Sequence, residues 1–206
     1  MNKKIEFDNK NILNLDKNFR IDLINSITGV KSVNLISTIS NEKITNLAIF
    51  SSIVHIGSNP PLIGFILRPE TRRLSDTMQN IKNNKYFTIN SINPSILKKA
   101  HKTSQKIDSS ISEFDYFEIE KEYINNISVP FVKDSLIKIG LNFKQRIEIN
   151  INNTSLIIGE IDYININENI LDNYGRVNIE KASLVSVSGL DMYYYSNKLT
   201  DLKSLF

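Results

Sequence analysis

The feature that most constrains the fold of this 206-residue chain is a long alternation of side-chain type in its second half. Ile137, Ile139, Leu141, Phe143, Ile147, Ile149 and Ile151 alternate with Lys138, Gly140, Asn142, Lys144, Arg146, Glu148 and Asn150. Successive side chains of a strand point to opposite sides, so period 2 over such a span predicts one extended strand with one wet face. On that reading Lys138, Lys144 and Arg146 are its solvated side. Asn152-Asn153-Thr154 reads as a turn, and residues 156–166 as the hairpin partner. A ribbon longer than the roughly ten residues of an ordinary strand tends to curl in a small protein, which points to a β-barrel.

The rest of the chain supplies shorter pieces. Residues 33–39 and 45–50 are β-branched runs separated by the polar turn Ser40-Asn41-Glu42-Lys43, a hairpin pattern. Residues 51–59 read as a loop or helical turn. Leu62 to Leu67 is a six-residue apolar run flanked by prolines, expected to be a strand buried on both faces. Asp76 followed three residues later by Gln79 has the form of a capping box, with Leu74, Thr77, Met78 and Ile81 on one helix face. Residues 86–92 return as a strand. Asn93-Pro94 opens another helix that ends near Ser104, with Ile96, Leu97, Ala100 and His101 on its inward side. A polar loop over 102–116 follows, and the tail at 182–195 is one further strand carrying a tyrosine cluster. Residues 1–30 are expected to form an arm or short helix (19–27), and 31–206 a single domain.

Composition excludes several kinds of chemistry. The chain has no cysteine, which removes disulfides, thiolate catalysis, zinc–thiolate sites and iron–sulfur clusters. A net charge of +3 with interspersed signs is too mild for a nucleic-acid protein but suits an anionic small molecule. The two histidines are far apart without a matching carboxylate cluster, so no metal site is expected. The first eight residues have basic character but no apolar segment, and no run approaches a membrane span, so the expected location is the cytoplasm, without membrane contact.

The chemically suggestive region runs from Asn46 to Asn80. Small residues ending one strand (Ala48, Ser51, Ser52) let a flat ring approach the backbone. Hydroxyl and guanidinium groups after the next strand (Arg68, Thr71, Arg72, Arg73) suit a phosphate. The helix opening adds free N–H groups, although the Asp76 carboxylate opposes a phosphate at that end. The residues alone leave an anion site and a polar turn between core elements both open.

This segment resembles the flavin reductase-like family of FMN-binding split-barrel proteins. The resemblance rests on Asn46 to Ser52, on Pro60-Pro61 through Arg68-Pro69, on Asp76-Thr77 with Asn80-Ile81, and on Tyr86-Phe87-Thr88-Ile89-Asn90. It continues more loosely through Ser112-Glu113-Phe114-Asp115, Ile158-Gly159-Glu160-Ile161 and Gly189 to Tyr194. It implies a mainly β fold: a six-stranded, Greek-key antiparallel barrel with flanking helices, assembled as a homodimer with FMN at or near the interface. Carried over by position, Asn46, Leu47 and Ala48 line the isoalloxazine edge through backbone groups. Ser51 and Ser52 bond the ribityl chain or phosphate, and Arg68, Arg73 and Thr77 bind or border the phosphate, joined by Thr71 and Asn80. Arg72 is an alternative to Arg73.

The implied activity is an NAD(P)H-dependent flavin reductase, passing electrons to free flavin, oxygen, a ferric complex or a partner oxygenase. Hydride transfer to a flavin needs stacking and orientation rather than an acid or base, so no catalytic side chain is required. His55 and His101 are possible flavin or nicotinamide neighbours, with a helix-end or core role the alternative for His101. Glu113-Phe114 either closes over the flavin or anchors its loop, and the tyrosines of the tail stack on a ligand or pack at a dimer interface. The rival reading is a non-catalytic FMN-binding protein for electron transfer, storage or sensing.

Overall fold

The computed structural model describes residues 4–69 and 75–202. In chain order the elements are α1 (Asn9–Asn14), α2 (Lys17–Ser26), β1 (Lys31–Ser32), β2 (Asn34–Ile39), β3 (Thr45–Phe50), β4 (Ile53–Ser58) and β5 (Pro61–Leu67). They continue as α3 (Asp76–Asn84), β6 (Tyr86–Ser91), α4 (Leu97–Lys102), α5 (Glu113–Tyr116), β7 (Lys121–Glu122) and β8 (Phe131–Val132). The chain ends with β9 (Ile137–Ile149), β10 (Thr154–Ile166), β11 (Val185–Ser188) and β12 (Met192–Tyr195).

The expected ribbon is present as β9 and β10, 13 residues each, antiparallel from Thr154↔Ile149 to Ile166↔Ile137. Register shifts at Ile158/Gly159 and Ile161/Tyr163 bend it, as bulges do. Gly159 sits where the ribbon crosses the Phe87 ring: a Cβ there would lie 2.7 Å from Phe87 Cζ, inside contact distance.

The ribbon is central to a seven-stranded antiparallel sheet ordered β3-β2-β6-β9-β10-β5-β4. Its two end strands, β3 and β4, are consecutive in the chain and joined only by Ser51 and Ser52. One continuous run therefore pairs with β2 in its first half and β5 in its second, and the sheet closes on itself. Counted this way, the barrel has six staves. This corrects the expectation of a loop over 51–59. Ile53, Val54 and Ile56 suit a strand, but Gly57, a register shift and an exposed outer side hide the alternation.

Two apolar layers result. The barrel interior collects Ile36, Phe65, Phe87, Leu141 and Ile157 from five strands, closed by Met78 and Ile81 of α3. Phe65 stands edge-on to Phe50 and Phe87, with centroids 5.0 and 5.7 Å apart, a favoured aromatic arrangement. The outer layer packs Leu35 and Leu47 beneath Ile96 and Ala100 of the α4 region, Phe114 of α5 and Val185 of β11.

Other expectations change in detail. Ser75, not Asp76, caps α3, its hydroxyl accepting from Met78 N; Asp76 falls in the first turn, where its charge suits the helix dipole. Helix α4 starts at Leu97, because Asn93 accepts from Ser95 N in a tight turn before it. The polar stretch 102–116 contains α5, with Glu113 and Phe114 buried. The tail is a hairpin rather than one strand, turning at Gly189 with φ +66°. The strand at 61–67 is fully buried only in part.

The ribbon's wet face also needs correction. Near the barrel Lys138 is buried, because the β7–β8 hairpin covers it and Glu122 pairs with it, and Gly140 is buried against the side chains of Tyr86 and Tyr163. Lys144 does stay at the surface, beside Glu160. Ile147 is exposed where the hairpin runs past the barrel. Helices α1 and α2, capped by Asp8 and Asp16, bury none of their residues. No helix among the described residues is long and apolar enough to cross a membrane.

Candidate flavin site

Three of the predicted residues, Asn46, Thr77 and Asn80, are brought together at the end of the barrel where α3 meets β2 and β3, whereas Ser51 and Ser52 lie at the opposite end of β3. Asn46 precedes the apolar run Leu47 to Phe50 and faces the interior with Thr38. Its Nδ2 donates to Thr38 Oγ1 at 3.2 Å and to Thr77 Oγ1 at 3.1 Å. Asn80, one helical turn beyond Thr77, donates from Nδ2 to the same Thr38 Oγ1 at 3.1 Å. All four side chains are buried, so each bond replaces water that the site excludes. They fasten the start of α3 to β2 and β3. Thr38 carries the hub position, although nothing in its local sequence distinguishes it from its strand neighbours.

On the other side of β3, α5 docks against the strand's open edge. Leu47 N donates to Glu113 Oε2 at 2.9 Å, and Thr45 Oγ1 and Ser112 Oγ share a 2.6 Å hydrogen bond. Burial pushes the Glu113 carboxyl above the usual carboxylate range. The Leu47 N–H opposes the shift, and the Asp76 charge adds to it. Phe114 anchors this segment in the outer layer and is fully buried.

Ala48 is half-buried on β3. Ser51 and Ser52 form the bend at the seam, Ser51 half-buried and Ser52 exposed. The Ser52 carbonyl accepts from Ile66 N at 3.0 Å, which draws the bend toward the end of β5 and hence toward exposed Arg68, two residues on. Thr71, Arg72, Arg73 and Leu74 lie outside the described residues.

The histidines are both exposed. His55 stands on β4 opposite Ile63. His101 is turned about 100° around the helix from buried Ala100, so it sits exposed in the last turn of α4, the helix-end alternative, and not on the inward side. There Nδ1 meets Tyr193 OH at 2.7 Å. Tyr193 thus ties the tail to α4, while Tyr195 remains exposed.

Two concavities border these residues. One of about 90 Å³ is lined by Pro94, Leu97, Val185 and the three tail tyrosines. The other, about 460 Å³, is polar and runs from Pro69 to Arg146, Glu148 and Thr154. Among the described residues no three His, Cys, Asp or Glu side chains gather as metal ligands do.

The sequence model of the flavin reductase like domain matches residues 30–202, most of the chain and all of the barrel. The chain belongs to that family. Its resemblance to solved structures agrees. A split-barrel protein assigned as a flavin reductase from Shewanella frigidimarina NCIMB 400 is 37% identical, with 98% of this chain and 100% of that one covered at a TM-score of 0.93. Nitrilotriacetate monooxygenase component B from Bacillus cereus shares the fold at 18% identity, 98% and 100% coverage and a TM-score of 0.86. An FMN-binding protein from Thermus thermophilus, solved with 1-cyclohex-2-enone, shares it at 14% identity, 86% and 93% coverage and a TM-score of 0.71. This flavin reductase-like protein is therefore a split-barrel flavoprotein of the oxidoreductase type.

Proposed function

We propose that the protein binds FMN along the β3 edge and around the Ser51–Ser52 bend, and reduces it with NAD(P)H. The observation that carries this reading is the Ile66 N to Ser52 O hydrogen bond. It draws the serine bend at the end of β3 to the end of β5, two residues before the exposed Arg68.

The donors present suit such a cofactor. An edge strand offers unpaired backbone N–H and C=O groups to a heterocycle, serine hydroxyls suit a polyol, and a guanidinium suits a phosphate. Ser51, Ser52 and Arg68 take the ribityl and phosphate end, with Thr71 and Arg73 as further phosphate contacts. Asn46, Thr77 and Asn80 act differently. Their side chains bond one another and Thr38, so they hold the α3 start in place and leave the backbone of β3 to receive the ring. Bound FMN would supply a ring that accepts hydride and passes electrons to a second acceptor. The chain's own task is to hold that ring flat, satisfy its polar edge and leave one face open to a nicotinamide.

The acceptor proposed is free flavin, oxygen, a ferric complex or a partner oxygenase, the last supported by the fold shared with a monooxygenase component. Residues 31–206 would form the flavin domain and 1–30 an accessory arm, in a homodimer working in the cytoplasm. The test is titration of purified protein with FMN, followed anaerobically by NADH and NADPH. Quenched FMN fluorescence and bleaching of the flavin's visible absorption are expected. Failure to take up FMN would sink the flavin assignment. Uptake without bleaching by either nucleotide would leave a binding protein and remove the reductase.

A further inference from the structure

Strand β3 is a sheet edge, and its backbone groups alternate in direction. Leu47 N points away from β2 toward Glu113, so Thr45, Leu47 and Ile49 form the outward set. Asn46, Ala48 and Phe50 turn their N–H and C=O into the β2 ladder. The backbone of Asn46 and Ala48 is thereby engaged, and Leu47 N–H already has an acceptor. The next outward pair belongs to Ile49, about 7 Å further toward Ser51.

The acceptor at Leu47 is firmly placed. Glu113 lies in the first turn of α5, between Ser112, bonded to Thr45, and fully buried Phe114. Its carboxyl is itself buried, with the Asp76 charge close enough to act on it. A flavin presents a pyrimidine edge of carbonyl, N–H, carbonyl, which needs a donor and an acceptor side by side. On an edge strand one outward residue provides both.

Resting on the flavin assignment above, we propose that Glu113 is a positioning residue that sets where the ring docks on β3. By taking the Leu47 N–H it removes that donor, and its oxygens repel a ring carbonyl brought there. The pyrimidine edge is directed to Ile49, adjacent to the hydroxyls of Ser51 and Ser52. Glu113 need not touch the cofactor to do this; it acts through the strand.

Backbone amide exchange and chemical shifts of isotope-labelled protein, with and without saturating FMN, test the idea. In the wild type FMN should protect the Ile49 amide and leave Leu47 unchanged. Glu113→Gln, whose amide oxygen can accept the same N–H, should keep that pattern and bind FMN within about twofold of wild type. Glu113→Ala should free Leu47 N–H, shift the visible spectrum of bound FMN and change its affinity by about tenfold. Protection of Leu47 by FMN in the wild type would overturn the proposal, as would wild-type exchange, spectrum and affinity in a folded Glu113→Ala protein. If that variant does not fold, the wild-type and Glu113→Gln exchange patterns decide alone. A wild type that leaves FMN fluorescence unquenched refutes the flavin assignment, and this proposal with it. Quenching with the wrong amide protected refutes only the role of Glu113.

Discussion

The barrel interior and the junction of α3, β3 and α5 are both buried, yet they are built on different physics. The interior is aromatic and aliphatic, with Phe50, Phe65 and Phe87 packed edge to face, and its cohesion depends on area and fit. The junction is polar, with Thr38, Asn46, Thr77 and Asn80 on one side of β3 and Glu113 on the other. Its bonds contribute modestly to net stability, but each is directional and leaves a buried orphan when broken. The contrast teaches that this protein draws its stability from one region and its geometric precision from the other.

The contrast can be broken by measurement. Phe87→Ala should cost about 3–5 kcal/mol in urea unfolding, the largest effect expected, because it empties the middle of the interior. Gly159→Ala should cost about 1–3 kcal/mol by pressing a methyl into the Phe87 ring; pairing it with Phe87→Leu should recover part of that loss. Asn46→Ala should cost about 1–2 kcal/mol, since Thr77 Oγ1 loses its donor and Thr38 Oγ1 one of two, but should weaken FMN binding more than any interior change of equal stability. Equal damage to stability from Asn46→Ala and Phe87→Ala would erase the distinction. Arg68→Gln, at an exposed position, should change stability by under about 0.5 kcal/mol while weakening FMN binding about tenfold by fluorescence titration.

The smallest effect concerns pH. The Glu113 carboxyl is raised in the folded protein, first by burial and then by Asp76, so the fold holds its proton more tightly than the unfolded chain does. Its contribution is complete below the ordinary glutamate range and is lost as pH rises through the raised value. Denaturation midpoints from about pH 4 upward should show this decline in the wild type, and Glu113→Gln should flatten it.

Legibility in the sequence divided along the same line. The interior could be read because periodicity is a local signal: the β9–β10 ribbon and Thr45–Phe50 appear in the sequence where they appear in the fold. Strand β4 was hidden by Gly57 and an exposed side, and the α3 cap slipped by one residue because Ser75 and Asp76 both suit it. Lys138 looked solvated because its cover, the β7–β8 hairpin, comes from elsewhere in the chain. The junction was legible only as residue types. Asn46 stood out only as a residue whose backbone would line the flavin edge; its side-chain bond to Thr77 spans 31 residues, and that from Leu47 to Glu113 spans 66. Local pattern carries no information about such meetings, so Thr38 and the Leu47–Glu113 pairing emerge only in three dimensions.

The seam at Ser51–Ser52 has one more consequence. The ring of strands is clasped there by peptide bonds, with no ladder between its two ends. A permuted chain opened at that link could keep every rung of the sheet and still become an open ribbon with two bare margins. The two margins are unpaired already, but with the clasp open they can swing apart and pair with other chains, so such a variant should aggregate more readily although every native strand pair is kept.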